Sequence, residues 1–305
     1  MNEDFCRTAD DMSSCRLCPN DCKVNRRSSL GKCLSNDKPA LARAALHFFE
    51  EPCVSGRRGS GAVFFCGCGM RCVFCQNYGL SRNQKGKELS TAKLADVFKA
   101  LEAKGAHNIN LVSPSHFAPQ IMESLDIYRP KIPVIYNTSG YERRDTIARL
   151  SGYIDVYLTD LKYVDSNAAK ELSGRPDYPL FAIDAIGEMI ARAGRPVFDG
   201  DGMITSGVII RHLVIPSYIQ NSIDTIETIA RLFKDDALIS IMSQYTPLSA
   251  LKLPDKINRR LKPIEYKIVL KKAADLGIDN AYVQRLSSAK EDYIPEFDFE
   301  GLDGG

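Results

Sequence analysis

Cys68, Cys72 and Cys75 are the residues of this sequence whose spacing most directly indicates chemistry. They follow the pattern C-x3-C-x2-C in a glycine-rich loop, with no histidine beside them. A structural zinc ion takes four protein ligands, and an electron-transfer iron-sulfur cluster is normally held by four cysteines. Three thiolates on a cubane would leave one iron open to bind another molecule. The alternatives are a zinc site that takes a fourth ligand such as Cys66, or a chance run of buried cysteines.

The run Phe64–Asn77, which reads FFCGCGMRCVFCQN, resembles the cluster loop of radical S-adenosylmethionine (SAM) enzymes. More narrowly, it is similar to the pyruvate formate-lyase activating enzyme branch, and within it to activase-like iron-sulfur proteins that begin with their own cysteine cluster. This resemblance implies a [4Fe-4S] cluster on Cys68, Cys72 and Cys75, whose open iron chelates the amino and carboxylate groups of SAM. It also places Phe74 near the adenine.

A second group of cysteines lies near the start of the chain. Cys15, Cys18 and Cys22 are spaced C-x2-C-x3-C, and Cys33 follows after a loop. Four thiolates could close the coordination of a zinc ion or hold an auxiliary iron-sulfur cluster, and the spacing does not choose between these metals. The alternative is a loop of reduced cysteines without a metal. The other cysteines have no assigned role: Cys6, Cys53 and Cys66.

Length and charge limit the possible classes of protein. A chain of 305 residues that is 44% hydrophobic can bury one large core, so we expect one main domain. The formal net charge of +2 does not indicate a nucleic-acid or membrane partner, which basic excess or clustered charge would favour. We predict a cysteine-rich extension over residues 1–58, the main domain over 59–290 and a C-terminal tail over 291–305.

The N-terminus and the position of the cysteines predict a cytoplasmic protein. The first residues are acidic, unlike the basic and then apolar start of a signal peptide, and no run is long enough to span a membrane. All ten cysteines lie at or before Cys75. In a reducing compartment this crowding indicates metal binding and not disulfides.

The pattern after the cluster loop repeats strand and helix, which predicts a parallel sheet with crossover helices. The resemblance implies that this α/β sheet forms a partial (β/α)6 TIM-type barrel behind the cysteine-rich extension. The segment 39–51 is predicted as a helix or a strand, and we assign no catalytic role to its His47, Glu50 and Glu51. The pattern predicts six strands, at 62–65, 108–112, 132–136, 154–160, 207–215 and 238–242. A seventh strand is predicted at 281–284.

Functional residues of such barrels gather where the strands end, so the polar residues there are the candidate ligands of a cofactor. Asp160 and Lys162 follow the fourth strand two positions apart, so both side chains face the same side. In the resembling family the matching D-L-K segment helps to bind the carboxylate end of SAM and a nearby monovalent cation. The alternative is a local salt bridge.

Two further positions resemble family residues near SAM. Asn137-Thr138 matches an Asp-Thr pair whose acid helps to hold the cation, so the amide of Asn137 predicts a cation site with weaker charge. Arg211, which we expect near the start of the fifth strand, resembles an arginine close to the SAM sulfonium and the substrate. His212 faces the opposite way by strand alternation and is expected to be structural.

The end of the second strand departs from the family pattern. The family usually places a Gly-Gly-Glu run there, which receives the amino group of SAM, whereas this chain has Ser113-Pro114-Ser115. The hydroxyls of Ser113 and Ser115 can still accept a hydrogen bond from an ammonium group, but the charged acceptor is gone. The cluster supplies most of the chelation of SAM, so the departure bears mainly on the choice of substrate.

Together, these expectations predict a radical SAM enzyme. The resemblance implies that reduced flavodoxin or ferredoxin supplies one electron, and that SAM is cleaved to methionine and a 5′-deoxyadenosyl radical that abstracts hydrogen from a substrate. One interpretation is an activase that acts on a glycine of a glycyl-radical enzyme, and another is a modifier of a different peptide or metabolite. A non-enzymatic iron-sulfur electron carrier is disfavoured, because a carrier gains by shielding every iron.

Overall fold

A computed structural model describes residues 12–82, 86–279, 281–288 and 295–302. Cys6 lies outside the described residues. In the described part a mostly parallel sheet is built from the following strands: β1 (Ala40–His47), β2 (Ser60–Phe65), β3 (Lys87–Glu88), β4 (Ile109–Val112), β5 (Val134–Thr138), β6 (Val156–Asp160), β7 (Val197–Phe198), β8 (Ile204–Leu213), β9 (Leu238–Met242) and β10 (Ala281–Val283).

The strand order is β10-β9-β8-β6-β5-β4-β2-β1-β3. The seven strands from β10 to β2 all pair in parallel, while β1 pairs antiparallel with both β2 and β3. The short β7 pairs antiparallel with β8. The sheet is not closed, and this mixed α/β arrangement confirms a partial barrel, in which the predicted seventh strand is present.

Helices cross between the parallel strands, as the repeated pattern predicted. Ser90 caps the helix that follows β3, because its hydroxyl accepts a hydrogen bond from the Lys93 amide at 3.3 Å. In the described part no helix is both long and apolar enough to cross a membrane. The helices are α1 (Pro52–Ser55), α2 (Tyr78–Arg82), α3 (Thr91–Ala103), α4 (Ala118–Ile127), α5 (Arg144–Arg149), α6 (Ser166–Ser173), α7 (Tyr178–Ala193), α8 (Ile219–Leu232) and α9 (Pro263–Asp275).

The segment between β1 and β2 enters the interior of the barrel. Cys53 and Val54 of α1 are buried there among aliphatic side chains of β5, β6, β8 and β9. The Asn108 amide donates to the Val54 carbonyl at 2.7 Å and accepts from the Ser60 hydroxyl at 2.6 Å, so the buried backbone is satisfied. This fixed segment carries the residues before it, Glu50 and Glu51, into the same interior.

The structure decides the conformation of the segment 39–51 and corrects the expected position of Arg211 in its strand. The segment 39–51, which was predicted as a helix or a strand, forms strand β1, whose pairing with β2 decides between the two. The fifth parallel strand begins at Ile204 and ends at Leu213, so Arg211 lies near its carboxyl end and not near its start. Arg211 therefore stands beside Asp160, which is its cross-strand partner at the end of β6.

Strand β1 also joins the predicted extension and tail to the barrel. It lies within residues 1–58, yet it pairs with β2 along six residue pairs. The described C-terminal residues approach β1, with Phe299 N donating to the Ala42 carbonyl at 2.9 Å and Ala44 N donating to the Glu300 carbonyl at 2.8 Å. The boundaries at residues 58 and 291 stay predictions.

Close backbone contacts hold the ends of β5 and β6 together. Gly140 has φ +81°, and a Cβ there would collide with the Asp160 carbonyl oxygen, so glycine permits this approach. The buried Tyr178 hydroxyl accepts from Lys162 N at 3.0 Å, and its proton lies within reach of the Ser139 carbonyl at 2.8 Å and the Asp160 carbonyl at 2.9 Å. One hydroxyl thus fixes the backbone from which the strand-end side chains project.

We expect Tyr178→Phe to lower the free energy of unfolding by about 1–3 kcal/mol, because buried backbone groups would lose their hydrogen-bond partner. Urea unfolding monitored by circular dichroism measures the change. Tyr153→Phe is the control, since its hydroxyl donates to the exposed Asp126 at 2.9 Å and its loss should cost much less. Equal costs in the two variants would contradict the role given to Tyr178.

Candidate functional site

The loop after β2 brings Cys68, Cys72 and Cys75 to the wall of one cavity at the carboxyl ends of the parallel strands. Backbone hydrogen bonds position this loop: Cys68 N donates to the Cys33 carbonyl at 3.1 Å, and Val73 N donates to the Leu172 carbonyl at 2.8 Å. The structure therefore brings together the three thiols that the spacing singled out.

The surroundings of these thiols suit thiolate ligands of a metal centre. Burial raises the pKa of Cys68, and it raises the pKa of Cys75 to about 12, so the isolated thiols would stay protonated at neutral pH. Bound metal stabilises thiolates outright. The Ser173 hydroxyl lies 3.1 Å from the Cys72 sulfur, and Met70 N lies 3.4 Å from the Cys68 sulfur, so hydrogen-bond donors already face two of the sulfurs. Soft sulfur donors at an open cavity fit an iron-sulfur cluster.

A buried ion-pair network lines the same cavity. The Asp160 carboxylate accepts a hydrogen bond from the Lys162 ammonium and another from Arg211 Nε at 2.9 Å. Burial opposes ionisation of Asp160, but the two cationic neighbours outweigh it and hold its pKa below the ordinary value. Burial likewise opposes the charge on Lys162, and the Asp160 carboxylate outweighs it and raises the pKa of that ammonium. All three side chains are therefore charged at neutral pH.

Glu50 is a site residue that the sequence analysis missed. Its Oε2 lies 3.1 Å from Arg211 Nη1, and its Oε1 accepts from Asn110 Nδ2 and Asn137 Nδ2, each at 3.1 Å. Asn137 in turn accepts from Arg211 Nη2 at 2.7 Å. Glu50 lines the cavity with Arg211 and Asn137, a position that the sequence analysis did not predict. The two adjacent acids before a turn were a signal, but no partner for them could be read from the sequence.

The other two residues of that segment behave differently. His47 lines the cavity and packs edge-on against Phe49 and Phe64, with ring centroids 5.5 and 5.9 Å apart. Burial, with help from nearby Arg43, lowers the pKa of His47 to about 4, so the ring is neutral. Glu51 is buried, and this burial raises the pKa of its carboxyl group. Neither residue contacts the thiols.

Both candidate serines at the end of β4 line a small cavity together with Cys68. Ser113 lines the main cavity and has φ +59°, a left-handed conformation that is uncommon for serine. Ser115 instead donates to the buried Glu142 carboxyl, which also accepts from the Thr138 hydroxyl. Burial raises the pKa of Glu142 to about 7. The hydroxyls of Ser115 and Thr138 thus share the Glu142 carboxyl, and Thr138 also lines the main cavity.

Phe74 lies beside the thiols, as expected from its place between two of them. It is buried and lines the cavity, and its ring centroid lies 6.0 Å from that of Tyr245. The nearby Gln76 amide donates to the Gln244 carbonyl at 3.0 Å. The cluster loop is thereby tied to the end of β9, and the two aromatic rings form an apolar wall. His212 is fully buried with its Nδ1 2.8 Å from the Leu161 carbonyl, which fits the expected structural role.

The N-terminal cysteines pack against this site. Cys18 and Cys33 line a small cavity together with Cys68 of the cluster loop. A Cβ at Gly31 would lie 3.1 Å from the Cys33 sulfur and 3.7 Å from the Cys22 sulfur, so these two thiols border the same glycine. Within the described residues, no three His, Cys, Asp or Glu side chains are grouped as ligands of one metal ion. The second metal site, with Cys15 as its fourth ligand, stays a prediction.

Sequence comparison finds a family model that matches part of the chain and a relative that matches most of it. The family model of the radical SAM superfamily matches residues 62–206, which run from the cluster strand through β6 to β8. A protein of Methanocaldococcus jannaschii, named only as uncharacterized, is 29% identical over 279 residues. That alignment covers 88% of this chain and 77% of the relative, so the similarity extends well beyond the cluster loop.

Comparison with solved structures supports the fold. SuiB of Streptococcus suis, solved with S-adenosylmethionine bound, superposes with a TM-score of 0.50 at 13% identity over 74% of this chain. The chain spans about half of SuiB, since the match covers 50% of that protein. A domain of a pyruvate-formate lyase-activating enzyme from Bacteroides vulgatus is 14% identical over 64% of this chain and 91% of that domain. Its TM-score of 0.34 is too low to support an argument.

The matched region contains the three-cysteine loop and the strands β4, β5 and β6, whose ends line part of the cavity. The family model and the partial barrel both agree with the resemblance of the cluster loop to radical SAM enzymes. Residues 62–206 of this chain match the radical SAM superfamily.

Proposed function

We propose that this chain is a radical SAM enzyme in which Cys68, Cys72 and Cys75 hold a [4Fe-4S] cluster and the adjoining cavity binds SAM. The observation that carries the proposal is the shared cavity. The three thiols line the same space as the charged strand-end residues Asp160 and Lys162. When bound, the cluster and SAM together supply a 5′-deoxyadenosyl radical that abstracts hydrogen from a substrate.

The residues of the chain would bind and orient the cofactor. Lys162 and Arg211 offer positive charge to the carboxylate of SAM, while Asp160 and Glu50 offer carboxylates to its amino or sulfonium group. Ser113 adds a hydroxyl to the same wall. Phe74 offers a ring face to the adenine. Asn137 holds Arg211 and Glu50 in register and places an amide where the family uses an acid, so any monovalent cation beside Asp160 would be bound with weaker charge.

For the substrate, we propose a protein or peptide segment, with activation of a glycyl-radical enzyme as the specific candidate. The support is the rim of the cavity, whose lining includes Phe49 and Pro295. Phe48 and Phe49 are each 51% exposed, and they continue the rim into an adjoining groove beside β1. An exposed aromatic rim suits a polypeptide better than a small polar metabolite. Modification of another peptide or metabolite is the alternative.

We further propose reduced flavodoxin or ferredoxin as the electron donor and the cytoplasm as the location. The support for the location is the chemistry of the ligands, because thiols that bind a metal need a compartment that keeps them reduced. Cleavage of SAM upon addition of a reductant separates the enzyme from a simple electron carrier, which would take up the electron and leave SAM intact.

The first prediction for this site concerns the cluster. Anaerobic reconstitution should give about four iron and four sulfide per catalytic site, as expected for a cubane. The triple replacement of Cys68, Cys72 and Cys75 by Ala should remove that iron and the electron paramagnetic resonance (EPR) signal of the reduced cluster. Cys53→Ala is the matched control, because its buried thiol lies inside the barrel among aliphatic side chains. An unchanged signal in the triple variant would refute the assignment.

The second prediction concerns SAM. Lys162→Ala and Asp160→Ala should each weaken SAM binding by roughly tenfold or more, because a hydrogen bond to a charged group contributes about 1.5–3 kcal/mol. The shift of the EPR signal on titration with SAM measures the affinity, and the iron content should not change. Lys99→Ala, on the exposed face of α3, is the control. Normal affinity in both variants would leave Asp160 and Lys162 as a local salt bridge only.

The third prediction concerns the cysteines near the start of the chain. We propose that Cys15, Cys18, Cys22 and Cys33 hold a metal separate from the catalytic cluster. The triple Cys68/Cys72/Cys75→Ala variant isolates this site for metal analysis. One zinc per chain would support a structural site, and residual iron with sulfide would support an auxiliary cluster. Metal-free protein, kept anaerobic throughout, would rule out both.

A further inference from the structure

A cationic depression lies on the outer side of the cluster loop. Arginine dominates its charged lining, with Arg71 and Arg82 exposed and Arg175 half-buried. Among the described residues that line it there is no Asp or Glu. The full lining is Leu34, Met70, Arg71, Val73, Arg82, Ser173, Gly174 and Arg175.

The depression adjoins a cluster ligand. Cys72 lines the main cavity, whereas its two neighbours in sequence, Arg71 and Val73, line the depression. Arg82 Nη2 donates to the Cys72 carbonyl at 2.9 Å. Ser173, which also lines the depression, places its hydroxyl 3.1 Å from the Cys72 sulfur. The residues around this one ligand thus connect the cationic surface to the candidate cluster site.

Hydrogen bonds to backbone carbonyls hold two of the arginines, Arg82 and Arg175, in place. Arg71 has φ +51°, a left-handed conformation inside the loop. Arg175 donates to the Gly69 carbonyl at 2.7 Å through Nη2, and its guanidinium lies 6.0 Å from the centre of the Tyr141 ring. Side chains that are already ordered lose less entropy when a partner binds, so this surface is prepared for a charged partner.

We propose that this arginine surface, formed by Arg71, Arg82 and Arg175, is the docking site of an acidic one-electron carrier protein. The inference rests on the proposed function, because it needs a cluster at Cys72. One electron would leave the reduced carrier, which is oxidised by one electron, and the cluster would be reduced by one, with no bond made or broken. A cationic patch accelerates encounter with an anionic partner by about 10- to 1,000-fold and fixes its orientation, so the charge supports an acidic carrier.

The experiment measures carrier binding separately from chemistry. Equilibrium binding of a flavodoxin, and in parallel a ferredoxin, is titrated at low ionic strength against the reconstituted chain and against the chain without metal. Arg71→Glu should weaken binding by about tenfold or more, while Arg71→Lys keeps the charge and should stay close to wild type. Raised salt should weaken binding to the wild type and have little effect on the Arg71→Glu variant. Lys99→Glu, a charge reversal on α3, should leave binding unchanged.

The reduction of the cluster gives the second readout. Dithionite should reduce the cluster of Arg71→Glu as fully as that of the wild type, while reduction by the carrier should be slowed by about tenfold or more. Equal carrier affinity in Arg71→Glu and wild type, or a matching loss in Lys99→Glu, would overturn the docking site. Failure of both carriers to bind the wild type would overturn it as well. If dithionite fails to reduce any cluster in the wild type, the proposed function fails, and the binding titration still decides the docking site.

Discussion

The buried guanidinium of Arg211 is the interaction on which the rest of the candidate site depends. It bonds Asp160, Glu50 and Asn137, which come from β6, from the segment after β1 and from β5. A charge inside a barrel is costly unless it is paired, and breaking such a pair by removing one partner typically costs about 3–5 kcal/mol. Each of these elements is therefore held to one position by the same side chain. Lys162 adds a second positive charge, so two cations and two carboxylates line the wall of the cavity and their charges balance.

The parallel sheet explains why these groups meet the thiols. In parallel strands all carboxyl ends lie on one edge, and β2, β5, β6 and β8 contribute the cluster loop, Asn137, Asp160 and Arg211 to that edge. Among the described residues that line the cavity, Glu50 is the charged residue that does not follow this rule, and it is placed by the inserted segment that buries Cys53. Because the core beneath the site is aliphatic, the charges have no solvent below them and must pair with each other or with a ligand.

The sequence was informative where local pattern decides structure and uninformative where distant contacts do. The cysteine spacing, the strand pattern and the Asp160-Lys162 pair were predictable, because each depends on residues a few positions apart. Glu50 was not, since its partners Asn110 and Arg211 are 60 and 161 positions away. The hydrogen bond from Ser115 to the buried Glu142 was not predictable either, because a pattern at the end of β4 does not reveal that partner.

The cluster loop is held from two sides, which couples the N-terminal cysteines to the catalytic site. The carbonyl of Gly69 accepts from the Asn20 amide at 3.2 Å and from Arg175 at 2.7 Å, so one loop atom joins the N-terminal segment to the arginine surface. Asn20 also lies 3.5 Å from the Cys18 sulfur, and Cys68 N donates to the Cys33 carbonyl. A metal that ordered Cys18 and Cys33 would therefore also order the loop that carries Cys68. An N-terminal metal could therefore favour cluster binding without taking part in electron transfer. The reason is that ligands that are already ordered lose less conformational entropy when they bind the cluster.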